Sequence, residues 1–136
     1  MKEFALLLLL ANDGLKAKDL EGTWAGARFT EGKGEDLKKG VKVEFTFKGN
    51  TLVGRKESKS LIGEATFTLS DDGKNIDATG TTGGYRGKLY VGIIKVEGDT
   101  LTWCSTGTAG KDPKRPSGFT ADPGQAHYLI VLKRQK

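Results

Sequence analysis

The residues with the clearest chemical potential are Cys104 and His127, the only cysteine and the only histidine in the sequence. A thiol beside an imidazole is a common nucleophile and base pair, provided that hydrogen-bond reach and an orienting group are available. The strands that carry the two residues are expected to be neighbours. A single cysteine in a β-rich domain is, however, more often a small buried apolar residue. We therefore predict no enzymatic activity for this chain.

Other chemical sites have little support in the sequence. One Cys and one His do not make a four-ligand zinc site without several carboxylates. Asp36, Asp71 and Asp72 stand in turn sequences, where Asp commonly bonds its own backbone. The glycine-rich segment 82–87 is not followed by the Lys-Ser or Lys-Thr pair of a phosphate-binding loop. No metal and no cofactor are predicted.

Length and charge restrict the class of protein and partner. The 136 residues fit one domain with a substantial core, and 20 glycines spread between short β-rich runs favour an all-β domain with many turns. The formal net charge is +5, which favours anionic partners. Several basic residues nevertheless alternate with apolar ones along strands, as on solvated strand faces: Lys42, Lys48, Lys95 and Lys133. No nucleic-acid partner is predicted, because such a surface more often clusters its basic residues.

Eight strands are predicted, and the second is the clearest, because Val41, Val43, Phe45 and Phe47 alternate with polar residues. Tight turns such as Gly49-Asn50 join most of them. The pattern predicts an eight-stranded antiparallel up-and-down β-barrel, which removes exposed sheet edges by closure. The predicted strands are Thr23–Thr30, Val41–Lys48, Thr51–Glu57, Leu61–Leu69, Asn75–Thr81, Lys88–Val96, Thr100–Ser105 and Ala126–Arg134.

The N-terminal apolar or helical segment, residues 1–19, is set apart from the barrel domain, residues 20–136, and Leu15 to Leu20 are predicted to form one or two turns of helix before Gly22. Phe4 to Ala11 is a run of eight apolar residues after Lys2 and Glu3. One interpretation is a short, eroded signal peptide, which implies export to the periplasm or outside the cell. The other is a Leu-rich helix docked on the barrel. Eight residues reach only about 12 Å as a helix, too short for a transmembrane span.

The first strand opens at Gly22-Thr23-Trp24, where the glycine permits a tight turn and the indole can plug one end of the barrel. Counting alternate residues from Trp24, Phe45 and Phe67 gives the residues expected to face inward. If the parity holds, Arg28 faces inward and must meet a carboxylate, the carbonyls at the barrel end or an anionic ligand. If the strand slips by one residue at Gly26, Arg28 faces solvent. Ala65 is one of these inward residues, and the others are the predicted ligand-binding residues: Arg28, Val43, Phe47, Tyr90, Ile94, Trp103 and Tyr128.

Gly22-Thr23-Trp24 resembles the G-x-W motif of lipocalins, and Lys133-Arg134 resembles the basic residue that crosses that Trp in the family. Together with the segments Val43 to Thr51, Gly92 to Leu101 and Pro113 to Pro116, the sequence is similar to a family of small conserved domains abundant in planctomycetes, usually labelled uncharacterised and lipocalin-like. The resemblance covers Leu20 to Arg134. It implies a barrel closed by Gly22, Trp24 and Arg134, frequently an exported location, and no established activity or ligand.

Two functions are compatible with this sequence. The first is a non-enzymatic barrel that binds a small hydrophobic or amphipathic ligand in a cavity of a few hundred cubic ångströms, open at the end away from Trp24. The alternative is an exported protein-interaction or inhibitor module with a filled barrel. In that case the contact would lie in the segment 106–125, a Gly- and Pro-rich loop that carries Lys111, Lys114 and Arg115. The sequence does not predict an oligomeric state.

Overall fold

A computed structural model describes residues 14–30, 32–33, 40–56, 61–106, 114–121 and 127–136. The apolar run of Phe4 to Ala11, Asp36 and Lys111 lie outside the described residues. Both interpretations of the N-terminal run therefore stay predictions. No helix in the described part of the chain is both long enough and apolar enough to cross a bilayer.

Within the described residues the chain forms one short α-helix, ten strands and one 3₁₀ helix, in chain order as follows. They are α1 (Ala17–Leu20), β1 (Gly22–Phe29), β2 (Gly32–Lys33), β3 (Val41–Lys48), β4 (Thr51–Lys56), β5 (Leu61–Leu69), β6 (Asn75–Gly80), the 3₁₀ helix (Gly83–Tyr85), β7 (Leu89–Glu97), β8 (Thr100–Thr106), β9 (Thr120–Ala121) and β10 (His127–Arg134).

Eight of these strands close into an antiparallel barrel in the order β1-β10-β8-β7-β6-β5-β4-β3. Its closure comes from β1, which pairs with β10 on one side and with β3 on the other. The predicted fold class is confirmed, including the short helical stretch before the first strand. The alternation in β3 explains the agreement, since Val43, Phe45 and Phe47 are buried while the polar residues between them face outward.

One end of the barrel, here called the closed end, is capped by α1 and by Trp24, which is fully buried. The Trp24 Nε1 donates to the Leu20 carbonyl at 2.9 Å. Arg134 lies over the indole, 4.1 Å from its centroid, and donates to the carbonyls of Glu21 and Asp19 at 3.0 Å each. Gly22, at φ +118°, makes the turn from α1 into β1 that brings these groups together.

Around Trp24 the closed end is filled by large apolar side chains. Phe47 and Phe67 meet edge to face with ring centroids 5.5 Å apart. Each large apolar side chain buried in this way stabilises the fold by about 1.5–3 kcal/mol. The other large side chains with less than 2% exposure that share this core are Leu20, Ile76, Leu101 and Leu132.

A second, smaller sheet lies outside the barrel, where β2 pairs with β9. The segment 106–125, predicted as one connecting loop, thus contains a strand. Ala121 packs with Cys104 and Leu129 in a buried cluster, against which Phe119 also rests. Strand β8 therefore has buried residues on both faces, Trp103 towards the interior and Cys104 towards this outer cluster.

Candidate ligand cavity

The other end of the barrel, here called the open end, is hollow because inward side chains become smaller towards it. The inward positions run from Leu52 to Gly54 on β4, from Phe67 through Ala65 to Gly63 on β5, and from Ile76 through Ala78 to Gly80 on β6. The register aligns these small residues across the three strands, pairing Gly54 with Gly63 and Ala65 with Gly80.

The space left by these small residues is a cavity of about 140 Å³. Arg28, one of its lining residues, lies four residues beyond Trp24 on β1, about 13 Å along the strand. The cavity thus lies at the predicted end, away from Trp24, but it is smaller than the predicted few hundred cubic ångströms. Its lining is mainly apolar and aromatic, and includes Phe45, Leu52, Ala65, Ala78, Tyr90 and Ile130.

Four of the seven predicted ligand-binding residues line this cavity: Arg28, Tyr90, Trp103 and Tyr128. The other three, Val43, Phe47 and Ile94, face inward as expected but are not among its lining residues. Each is at most 3% exposed and packs in the main core. The structure therefore places these three residues in the packed core and not in the cavity wall, because alternation shows which face a residue occupies and not how deep in the barrel it lies.

Arg28 faces the interior, so the parity counted from Trp24 holds through Gly26. Its guanidinium carbon lies 4.7 Å from the centroid of the Tyr128 ring. The Nε atom is buried and has no hydrogen-bond partner. No ion pair of Arg28 occurs within the described residues. Arg28 as a whole is half-buried, and its Nε is a buried donor without an acceptor, which is costly, so this site favours an acceptor from outside the chain.

Trp103, which also lines this cavity, carries a second unpartnered donor. It is only 5% exposed, and its Nε1 has no hydrogen-bond partner. The indole packs edge to face on Phe45, with centroids 5.6 Å apart. Its Nε1 occupies the space beside Gly92, where a Cβ would lie 3.0 Å away. The same Cβ would lie only 2.5 Å from the Cys104 carbonyl oxygen, so a glycine is needed there first for the β8 backbone and then for the indole.

Tyr85, from the connection between β6 and β7, also lines the cavity and was not among the predicted residues. The connection folds back on the barrel through hydrogen bonds from Gly87 N to the Gly80 carbonyl and from Lys88 N to the Tyr85 carbonyl. A Cβ on Gly63 would lie 3.1 Å from the Tyr85 ring. The inward glycines were the available sequence signal, since they mark positions that a ring from elsewhere can fill.

Tyr90 lies beside Tyr85, with ring centroids 6.4 Å apart. Burial raises the pKa of the Tyr90 phenol above its usual 10.0, and the neighbouring Tyr85 and Tyr128 raise it further. The phenol therefore stays neutral at physiological pH and keeps its O–H donor.

Cys104 and His127 do not belong to the cavity. Cys104 faces Leu129 across the β8–β10 pair, and its thiol, buried in the outer cluster, donates to the Thr120 carbonyl at 3.2 Å. His127 pairs with Thr106, two positions further along the same ladder. In the described part of the chain, His, Cys, Asp and Glu side chains form no group of three or more that could hold a metal ion.

The described part of the segment 106–125 packs against the barrel wall. Arg115 NH1 donates to the Gly92 carbonyl at 2.8 Å and lies 2.8 Å from Asp77 Oδ1. The second contact is an ion pair without the alignment of a hydrogen bond. Lys95 covers the Phe119 ring, 4.8 Å from its centroid. A role for this segment in protein contacts stays an untested prediction.

No protein-family model, curated protein or solved structure matches this chain. The resemblance to the lipocalin-like planctomycete family therefore stays a prediction. The geometry of the cavity is what supports a function.

Proposed function

We propose that this protein is a non-enzymatic barrel that binds one small amphipathic molecule in the cavity at its open end. The observation that carries the proposal is a largely apolar cavity lined by two side chains with buried, unpartnered N–H donors, Arg28 and Trp103. Apolar walls with a few polar groups are the usual form of a small-molecule site. Reversible binding of this kind suits transport or storage of the ligand.

The volume limits the size of the ligand. A cavity of about 140 Å³ is close to the roughly 150 Å³ that holds a benzene molecule in an engineered protein. Drug-sized ligands occupy pockets of about 300–1,000 Å³. The proposed ligand is therefore the size of a single ring or a short branched chain, and a long acyl chain is too large.

The rim of the open end offers an apolar approach to the cavity. Four large apolar side chains remain substantially exposed among the described residues: Val41, Leu61, Tyr85 and Leu89. Val41, Leu61 and Leu89 begin β3, β5 and β7, and Tyr85 lies in the β6–β7 connection, so all four lie at the open end. Exposed apolar side chains at this rim are compatible with the entry of an apolar ligand.

A calorimetric titration of the full chain with toluene, benzyl alcohol and sodium benzoate tests the proposal. We expect saturable binding of at least one probe at one site per chain. The Ala65→Leu variant adds three heavy atoms to the cavity wall and should abolish that binding. Its matched control is Thr68→Leu, which adds an apolar side chain at an exposed position of the same strand.

The pair of variants separates loss of the cavity from loss of the fold. Both should show the far-ultraviolet circular dichroism of the wild type, and only Ala65→Leu should lose binding. Wild-type protein that binds none of the three probes, or Ala65→Leu protein that binds as the wild type does, would contradict the proposal.

A further inference from the structure

We infer that the ligand is a monoanion, a molecule with a ring-sized apolar body and one carboxylate-like head group held by Arg28 and Trp103. The inference rests on the proposed binding function and specifies the chemistry of its ligand. It starts from the two donors without acceptors, the Arg28 Nε and the Trp103 Nε1, both in side chains that line the cavity.

The two donors belong to the same level of the barrel. Arg28 pairs with Ile130 across the β1–β10 ladder, and Ile130 pairs with Trp103 across the β10–β8 ladder. Their backbones are therefore two strand spacings apart, about 10 Å, and both side chains point inward. Both donor atoms are buried within their side-chain packing, and the Trp103 Nε1 lies against Gly92, so one small head group between the two side chains accepts from both after small rotations of these side chains.

The charge of the site selects an anion. Arg28 has no ion pair within the described residues, and a guanidinium always carries its positive charge in proteins. Glu64 is the acidic residue in the cavity lining, but it is exposed, so water screens its carboxylate. The Ser105 hydroxyl already donates to the Thr106 carbonyl. A carboxylate would give Arg28 the charge-assisted hydrogen bond that its own chain does not supply.

The aromatic surroundings suit a planar apolar body. Phe45, Tyr85 and Tyr90 line the cavity, and the Tyr128 ring already stacks on Arg28. Rings pack favourably edge to face or offset on such walls. The inferred ligand class is thus a single-ring or similarly compact monocarboxylate.

A nuclear magnetic resonance titration of the ¹⁵N-labelled full chain tests this inference with sodium benzoate, benzyl alcohol and benzylamine. The three probes share one ring and carry a negative charge, no charge and a positive charge. We expect benzoate to bind about tenfold or more tightly than benzyl alcohol, and benzylamine to bind most weakly. Benzoate should shift the indole N–H signal of Trp103 and leave that of Trp24 in place, since Trp24 already donates to the Leu20 carbonyl.

The Arg28→Gln variant removes the cation and should weaken benzoate binding about tenfold while changing benzyl alcohol binding less than about twofold. Arg86→Gln is the matched control, because Arg86 is exposed at the same end and does not line the cavity. It should leave both affinities unchanged. Should Arg28→Gln fail to fold, the order of the three probes on the wild type decides the question by itself.

Equal affinity for benzoate and benzyl alcohol, or tighter binding of benzylamine, would overturn the inference and leave the proposed function standing. No saturable binding of any of these three probes, nor of toluene, would overturn both. A benzoate-dependent shift of the Trp24 indole with none at Trp103 would also refute the inferred site.

Discussion

The two ends of this barrel are built from the same strands and the same alternation, yet one is solid and the other hollow. At the closed end Trp24 is fully buried, its N–H is satisfied, and a guanidinium covers its ring. At the open end another guanidinium, that of Arg28, covers Tyr128 and leaves its Nε without an acceptor. Each end thus pairs an arginine with an aromatic ring, but only the closed end supplies the arginine with acceptors.

An arginine whose donors are hydrogen-bonded within its own chain has a structural role, whereas an arginine with an unbonded donor is a candidate for ligand binding. Arg134 donates to two backbone carbonyls near α1. No carbonyl of the described residues accepts from Arg28, and the inward side chains of β4 to β6 become smaller at its end of the barrel. Stability should therefore concentrate at the closed end, and binding at the open end.

The largest expected effect comes from truncating one aromatic residue at each end. Trp24→Ala should lower the free energy of unfolding by about 3–5 kcal/mol, because it removes a fully buried ring. Tyr85→Ala, at a residue that is 43% exposed, should cost less than about 1 kcal/mol. Urea unfolding of both variants measures the contrast. Similar losses of unfolding free energy in the two variants would contradict the proposed difference between the two ends.

Although the open end is hollow, a side chain cannot be added at every position there. Gly80 and Gly84 test this restriction. A Cβ on Gly80 would lie 1.9 Å from the Tyr85 carbonyl oxygen, whereas a Cβ on Gly84 would meet nothing within 4 Å. Gly80→Ala should therefore destabilise the protein by about 1–3 kcal/mol as the β6–β7 connection is displaced. Gly84→Ala should be neutral or slightly stabilising. Thermal unfolding of the two variants checks the prediction, and equal melting temperatures would contradict it.

Exchanging arginine for lysine should matter at the closed end only. Arg134→Lys keeps the charge and loses the two-pronged bonding to the Glu21 and Asp19 carbonyls, so we expect a loss of about 1–2 kcal/mol in urea unfolding. Arg86→Lys, at an exposed residue of the open end, should stay within about 0.5 kcal/mol of the wild type. A loss at Arg86 as large as that at Arg134 would argue against the assigned roles.

The smallest expected effects are pH dependences of opposite sign at the two ends. In the β5–β6 turn, on the side of the closed end, the Ser70 hydroxyl and then the Lys74 N–H donate to Asp72 and lower its pKa below 3.8. The stabilisation from this carboxylate is therefore present above pH 3.8 and is lost as the pH falls through the folded-state pKa. When the unfolding midpoint is measured as a function of pH, Asp72→Asn should reduce the fall of the midpoint on the acid side.

At the open end the pKa of Tyr90 is raised above 10.0, first by burial. The unfolded chain then releases this proton more readily than the folded one, so stability is unaffected below pH 10 and declines as the pH rises above it. Tyr90→Phe should reduce the alkaline decline without changing the acid side. An unchanged alkaline slope would contradict the burial of this phenol.

Much of the fold could be predicted because long strands carry their own periodicity. Alternation over the eight residues of β3 determines its inner face, and Trp24 determines the parity of β1 as far as Arg28. The two-residue strands β2 and β9 could not be predicted, because two residues carry no alternation. Their pairing depends on contacts made only after the barrel wall exists.

The candidate site was predictable only in part, because a cavity depends on the level of each residue as well as its face. Arg28, Tyr90, Trp103 and Tyr128 were identified by parity alone. The empty space, however, results from Ala65 and Gly80 lying side by side, and this requires the register between β5 and β6. The sequence of one strand does not contain the register of its neighbour.

The pairing of β1 with β10 has a consequence for the biosynthesis of the protein. Every contact that completes the ring joins residues 22–29 to residues 127–134, so the ring cannot form until about residue 134 has left the ribosome. Until then the outer edges of β1 and β8 are unpaired and available to other chains. Pairings between residues so distant in sequence are also slow to form, typically taking milliseconds to seconds. A nascent chain of this protein is thus most prone to aggregate while its first seven barrel strands are exposed and β10 is still being synthesised.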